Sequence, residues 1–240
     1  MRALRTALVS AIVAGLIGGA MASAFHEFFT EPVIDRAIAA EAERAAAQPG
    51  HHDEEPVVSR RGQKIGLVVG LLVYGAIWGL LVGLAIHATR GWTPGAWSLA
   101  RRGAVLVGLL GWAVAIFPFM KYPANPPGVG EPDSIGYRQT LYMGFMALSV
   151  LGLALATAIR RRTGGRLVPA LFYVAWALGI YFLMPLNPDP VPLSGAIVRP
   201  FRALSLAGLV IFWVVLGTAL AVFGRDRTGG RERLAWPGHA

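Results

Sequence analysis

Residues 65–87 read IGLVVGLLVYGAIWGLLVGLAIH, twenty-three positions without a lysine, arginine, aspartate or glutamate. At a rise of ~1.5 Å per residue, such a run covers the ~30 Å hydrocarbon core of a bilayer. No water is available there to satisfy backbone N–H and C=O groups, so the run is expected to be helical. It is also far too long for the alternating strands of a membrane barrel. The stretches near 5–27, 102–120, 139–159, 167–186 and 204–223 share its character. The sequence therefore predicts an all-α integral membrane protein, a polytopic bundle of six transmembrane helices forming one membrane domain over 1–240. A hydrophobic content of 55% and a charged content of 15% fit that class. The largest excursion from the membrane is the loop 28–64, with a short acidic helix near 31–47.

The first stretch carries two readings. Arg2 and Arg5 precede an apolar run, and Ala22-Ser23-Ala24 resembles a signal-peptidase site. The run from Ala7 to Phe25 is longer than a usual signal core, however, and its Ala14-Gly15-Leu16-Ile17-Gly18-Gly19-Ala20 segment has the small residues that let membrane helices approach closely. A retained helix is the expectation. Cleavage would leave five helices and the same side for every loop.

Net charge is +9, but its distribution points to a membrane rather than to nucleic acid. The N-terminus, the segments 90–102 and 160–166, and the C-terminal tail hold 13 basic residues against two acids, Asp226 and Glu232. The other loops hold 9 basic residues and 11 acids. By the positive-inside rule, the arginine-rich side and both termini are cytoplasmic. The arginines then contact lipid headgroups, and no nucleic-acid partner is expected. With no cysteine, disulfides, thiolate ligands and thiol nucleophiles are excluded.

Candidate chemistry gathers on the outer side. The first apolar stretch ends in His26, Glu27, Glu31 and Asp35; Pro32 is expected to break the helix there, with Thr30 as N-cap of the acidic helix. Glu31 and Asp35, at i and i+4, share a helix face. Imidazole and carboxylate suit first-row divalent ions. The cluster His51-His52-Asp53-Glu54-Glu55 is a second ligand-rich segment, suited to loose capture rather than to a preformed site. The third is Lys121–Arg138, dense in proline and glycine. Asn125 and loop carbonyls there offer oxygens to an ion, and Glu131 and Asp133 are placed to balance Lys121 and Arg138. A weak echo links Met120-…-Pro123-Ala124-Asn125-Pro126 with Met184-Pro185-Leu186-Asn187-Pro188, so three outer helix exits could form a vestibule. Asn-Pro turns that merely end helices are the alternative.

The helix cores carry almost no ionisable residue, which disfavours a self-contained proton relay. No Walker A, Gly-x-Ser-x-Gly or His-Glu-x-x-His motif occurs, so no ATP hydrolysis by this chain, no familiar hydrolase and no catalytic residue are expected.

The segment Phe119-Met120-Lys121-Tyr122-Pro123-Ala124-Asn125-Pro126-Pro127-Gly128-Val129-Gly130-Glu131-Pro132, followed by Ile135-Gly136-Tyr137-Arg138, resembles the bacterial CbtA family of probable cobalt transporter subunits. Glu31-Pro32-Val33-Ile34-Asp35-Arg36 and Val58-Ser59-Arg60-Arg61-Gly62-Gln63 resemble the same family. The resemblance implies an inner-membrane protein of five or six helices acting in cobalt uptake for cobalamin synthesis. It also implies a small one-helix, His-rich partner of CbtB type. It supplies no ligand set. The expected function is thus the membrane subunit of a cobalt(II) importer, not an enzyme. Cobalt(II) is its cargo rather than a tightly bound cofactor, lipid its surroundings, and a homo-oligomer remains open. His26, Glu27, Glu31, Asp35, His51, His52 and Asn125 are the candidate capture residues. Capture through neutral imidazole would weaken as pH falls through ~6.5. A non-conducting scaffold for a metal-binding partner and a membrane enzyme acting on a lipid phosphate are the alternatives.

Overall fold

A computed structural model describes residues 2–47, 58–89 and 98–232, and every regular element among them is helical. The elements are α1 (Arg2–Phe25), α2 (Glu31–Ala46), α3 (Arg60–Ala88), α4 (Leu99–Gly111), α5 (Phe117–Lys121), α6 (Ile135–Thr163), α7 (Leu167–Leu183) and α8 (Gly195–Glu232). Five continuous helices are long and apolar enough to cross a membrane: Leu4–Ala46, Arg60–Ala88, Ala100–Lys121, Pro132–Thr163 and Gly195–Phe223. The sixth apolar helix, α7, has 17 residues and reaches ~25 Å, which a bilayer accommodates by local thinning. Val69, Val73 and Ile77 on α3 and Leu171, Val174 and Phe182 on α7 are exposed, as lipid-facing side chains would be. The polytopic all-α class stands.

At Pro32 the helix continues where the sequence predicts a break. α1 passes into α2 through a π-helical turn at His26–Thr30, and α4 passes into α5 through another at Trp112–Ile116. Each turn ends two residues before a proline, Pro32 and Pro118. A helical proline removes one N–H and crowds the carbonyl four residues back. Widening the preceding turn to i→i+5 spacing makes room for the ring without ending the helix, as the Phe117 N–H bond to the Trp112 carbonyl illustrates. Thr30 is accordingly not an N-cap. Its backbone is helical, and its hydroxyl meets His26 Nδ1 at 2.8 Å instead.

The chain divides into two compact units. Unit 1 comprises residues 1–25, 58–108 and 210–240. Its centre is the pairing of α1 with α3, backbone against backbone. A Cβ at Gly15 would strike the Gly75 carbonyl, one at Gly19 the Leu71 carbonyl, and one at Gly79 the Ala11 carbonyl. Lipid tails are as apolar as leucine, so membrane helices gain most from such close van der Waals approach. Phe212, Trp213 and Leu216 of α8 are buried in the same unit, Phe212 on Tyr74 and Trp213 on Trp78.

Unit 2 comprises residues 26–57 and 109–209. Its core is aromatic: Phe117, Phe145 and Ile180, surrounded by Trp112, Tyr122, Trp176 and Tyr181. The indoles are satisfied as well as packed. Trp112 Nε1 donates to the Tyr173 hydroxyl at 2.7 Å, and Trp176 Nε1 to the Leu148 carbonyl at 3.0 Å across the space Gly152 leaves open.

Replacing Gly75 or Gly79 by leucine should force α1 from α3 and lower the melting temperature in detergent, at a cost of at least ~1–3 kcal/mol. A Cβ at Gly66 or Gly70 on the same helix meets nothing within 4 Å, so Gly66→Leu and Gly70→Leu should be near neutral.

Candidate functional site

Unit 2 brings together the exits of α5 and α7, with the later turns of α2 beside the first of them. The segment after α5 turns at Gly128 (φ +73°) and Gly130 (φ +106°), a backbone region that glycine adopts without strain. Gly128 also lies against α2. A Cβ there would press on the Glu41 carboxylate, and the Arg44 guanidinium reaches the Gly128 carbonyl at 3.5 Å. A Cβ at Gly130 would overlap the Arg138 guanidinium.

The same segment is tied to the exit of α7. Tyr122 donates its hydroxyl to the Pro185 carbonyl at 2.6 Å, and Lys121 Nζ donates to the Tyr181 carbonyl at 2.7 Å. Burial first, and the neighbouring Tyr137 second, push the Tyr122 phenol above its ordinary value, so it remains a protonated donor. The tightest link is Asp189. Its Oδ2 accepts from the Ser134 hydroxyl at 2.7 Å and the Glu131 N–H at 3.3 Å, and Arg138 Nε approaches at 3.0 Å. The Asp189 side chain is 4% exposed, that of Arg138 25%. Asp189 is therefore what balances Arg138. Glu131 and Asp133, expected in that role from the sequence, are exposed, and Lys121 is held by a carbonyl rather than by either acid.

These exits border a cleft of about 660 Å³, whose polar lining is Tyr122, Asn125, Arg138, Gln139, Tyr142 and Asn187. The two asparagines of the sequence echo thus face one space. Their amide orientations are set by their partners. Asn125 Oδ1 accepts from an Arg202 guanidinium nitrogen at 2.8 Å, and Asn187 Oδ1 accepts from the Asp189 N–H at 3.1 Å. Each partner is a donor, so each amide must turn its oxygen toward it.

The remaining candidate residues are dispersed. His26 sits in the first π-helical turn with Nδ1 on Thr30, and its Nε2 edge fills the space over Gly208 of α8, where a Cβ would overlap the ring. Metal ligation through Nε2 would require the ring to leave that notch. Glu31 is buried at 3% exposure, whereas Asp35 is exposed, so the two carboxylates share a helix stripe but not an environment. Glu27 is half-buried. Among the described residues, no three His, Asp or Glu side chains are gathered so as to hold a metal ion. His51 and His52 lie outside the described residues. Among the described candidates, Asn125 alone lines the cleft. Sequence reasoning passed over Asp189 and Arg202. The Asn187-Pro188-Asp189-Pro190 turn carried a signal for the first, since an Asn side chain that accepts the N–H two residues on fixes the direction of that residue. Nothing local marked Arg202.

Residues 4–225 match the family described as probable cobalt transporter subunit (CbtA). No curated protein and no solved structure matches the chain.

Asp189→Asn keeps an acceptor for Ser134 but leaves Arg138 without its counter-charge. The expected destabilisation is about 1–3 kcal/mol, less than for a fully buried pair because Arg138 is partly solvated. Adding Arg138→Gln should recover part of the loss, as a double-mutant cycle in detergent melting would measure.

Proposed function

The chain belongs to the CbtA family, and we propose that it forms the membrane-embedded subunit of a cobalt(II) importer, working with a small one-helix, His-rich partner of CbtB type. On this reading it lies in a bacterial inner membrane with both termini cytoplasmic, as its arginine asymmetry favours. The polar exits of unit 2 then face outward. The acidic stretch His26, Glu27, Glu31 and Asp35, with the His51-His52 segment beyond it, concentrates divalent ions at the outer face. The turns at Asn125 and Asn187 shape the way in. The partner contributes imidazole ligands, and the cobalt delivered serves cobalamin synthesis.

The observation that carries this reading is the family match over residues 4–225. The meeting of the Asn125 and Asn187 turns around one cleft supports it, since ligand sites in membrane proteins commonly form where helices are interrupted and polar backbone lines a cavity.

The test is uptake of radioactive cobalt by cells lacking their other cobalt importers, with this chain and its small neighbour expressed separately and together. Uptake is expected only when this chain is present, with nickel and zinc as weaker competitors. No uptake in any background, with the protein demonstrated in the membrane, would instead favour a non-conducting scaffold. Within the importing strain, Glu27→Gln, Glu31→Gln and Asp35→Asn combined should raise the half-saturating cobalt concentration. Unchanged kinetics would remove these acids from the capture role.

A further inference from the structure

We propose that the unit 2 cleft binds a small carboxylate anion and that, resting on the importer reading, cobalt occupies it as an anionic carboxylate complex rather than as the bare aquo ion. The two asparagines carry the case. Asn125 gives its oxygen to Arg202 and Asn187 gives its oxygen to the Asp189 N–H. What each side chain retains is its NH₂ group, and neither nitrogen has an acceptor among the described residues. A cation gains nothing from an N–H, whereas a carboxylate gains a charge-assisted hydrogen bond from each.

The charges at the cleft point the same way. Arg138, a lining residue, is neutralised by Asp189. Arg202, directly behind Asn125, is not: among the described residues its partner is the Asn125 oxygen, no carboxylate pairs with it, and its buried Nε has no acceptor. A partly buried guanidinium without a counter-charge repels a divalent cation and is stabilised by an anion. The nearby acids, Glu41, Glu131 and Asp133, are not among the lining residues. Val129, Ile135, Leu141 and Met143 complete the wall and suit the carbon skeleton of an organic acid. The volume, about 660 Å³, falls within the ~300–1,000 Å³ of small-molecule sites.

Two substitutions reverse the chemistry with little change of shape. Asn125→Asp and Asn187→Asp each keep an oxygen for the existing donor while turning the NH₂ group into a second carboxylate oxygen. A carboxylate site and a cation site respond to this change with opposite sign. The experiment is calorimetric titration of the purified full chain with citrate, cobalt–citrate and cobalt chloride in a non-coordinating buffer. Citrate and cobalt–citrate should bind the unaltered protein more tightly than cobalt chloride does. Each Asn→Asp variant, and Arg202→Gln, should bind citrate roughly tenfold more weakly or worse, the loss expected when one hydrogen bond to a charged group is removed. Melting curves matched to the parent protein establish that the variants are folded. Failure of the folded parent protein to bind citrate overturns the proposal, as does tighter cobalt chloride binding by the Asp variants with citrate binding unchanged.

Uptake measured with radioactive cobalt, with and without excess citrate, separates this proposal from the importer reading. Uptake sustained by citrate supports both. Uptake of the aquo ion alone, suppressed by citrate, leaves the importer standing and overturns the carboxylate complex. No uptake in either form sinks the importer and with it the metal complex, while the citrate titration still decides the anion site.

Discussion

In hydrocarbon a backbone carbonyl has no solvent to turn to, and the described elements obey that constraint. It makes each apolar run a helix, and it governs how the chain handles proline. Pro32 and Pro118 each leave a carbonyl one turn upstream without its usual donor. In both places the chain responds with a five-residue π-helical turn rather than a break. The helix continues and the ring is accommodated. This geometry belongs to the segment that presents His26 to Gly208 and Trp112 to Tyr173.

The two units solve the packing problem differently. In unit 1, α1 and α3 remove side chains from their contact, so that Gly15, Gly75 and Gly79 bring backbone onto backbone. In unit 2 the core is built from large rings, whose polar edges then need partners. Tyr173, the Leu148 carbonyl and the Pro185 carbonyl supply them to Trp112, Trp176 and Tyr122. The first solution maximises close contact at low side-chain entropy cost. The second couples packing to directional hydrogen bonds and so holds the polar exits in register with the helices beneath them.

The cleft depends on one buried carboxylate. Asp189 gathers a hydroxyl, a backbone N–H and a guanidinium, and through them joins the start of α6 to the turn after α7. Its own N–H in turn orients Asn187. The local electrostatics combine a balanced pair at Arg138 with the Arg202 guanidinium, which has no carboxylate partner among the described residues. A wall rich in donors results from a segment whose composition reads as rich in oxygen ligands.

The apolar runs determine the class and the places of the long helices, because run length and hydropathy are local properties that the bilayer tests directly. The small residues of α1 likewise announce a close contact, though not with which helix. The acidic stretch after α1 and the paired Asn-Pro exits are also visible as composition. Tertiary structure decided the rest. Whether Pro32 breaks a helix depends on the turn before it, and whether Glu31 is buried while Asp35 is exposed depends on what packs against α2. Which atom of Asn125 remains available is settled by Arg202, 77 residues away. A hydrogen bond of that range has no trace in local pattern, since it exists only once the fold has brought donor and acceptor within 3 Å.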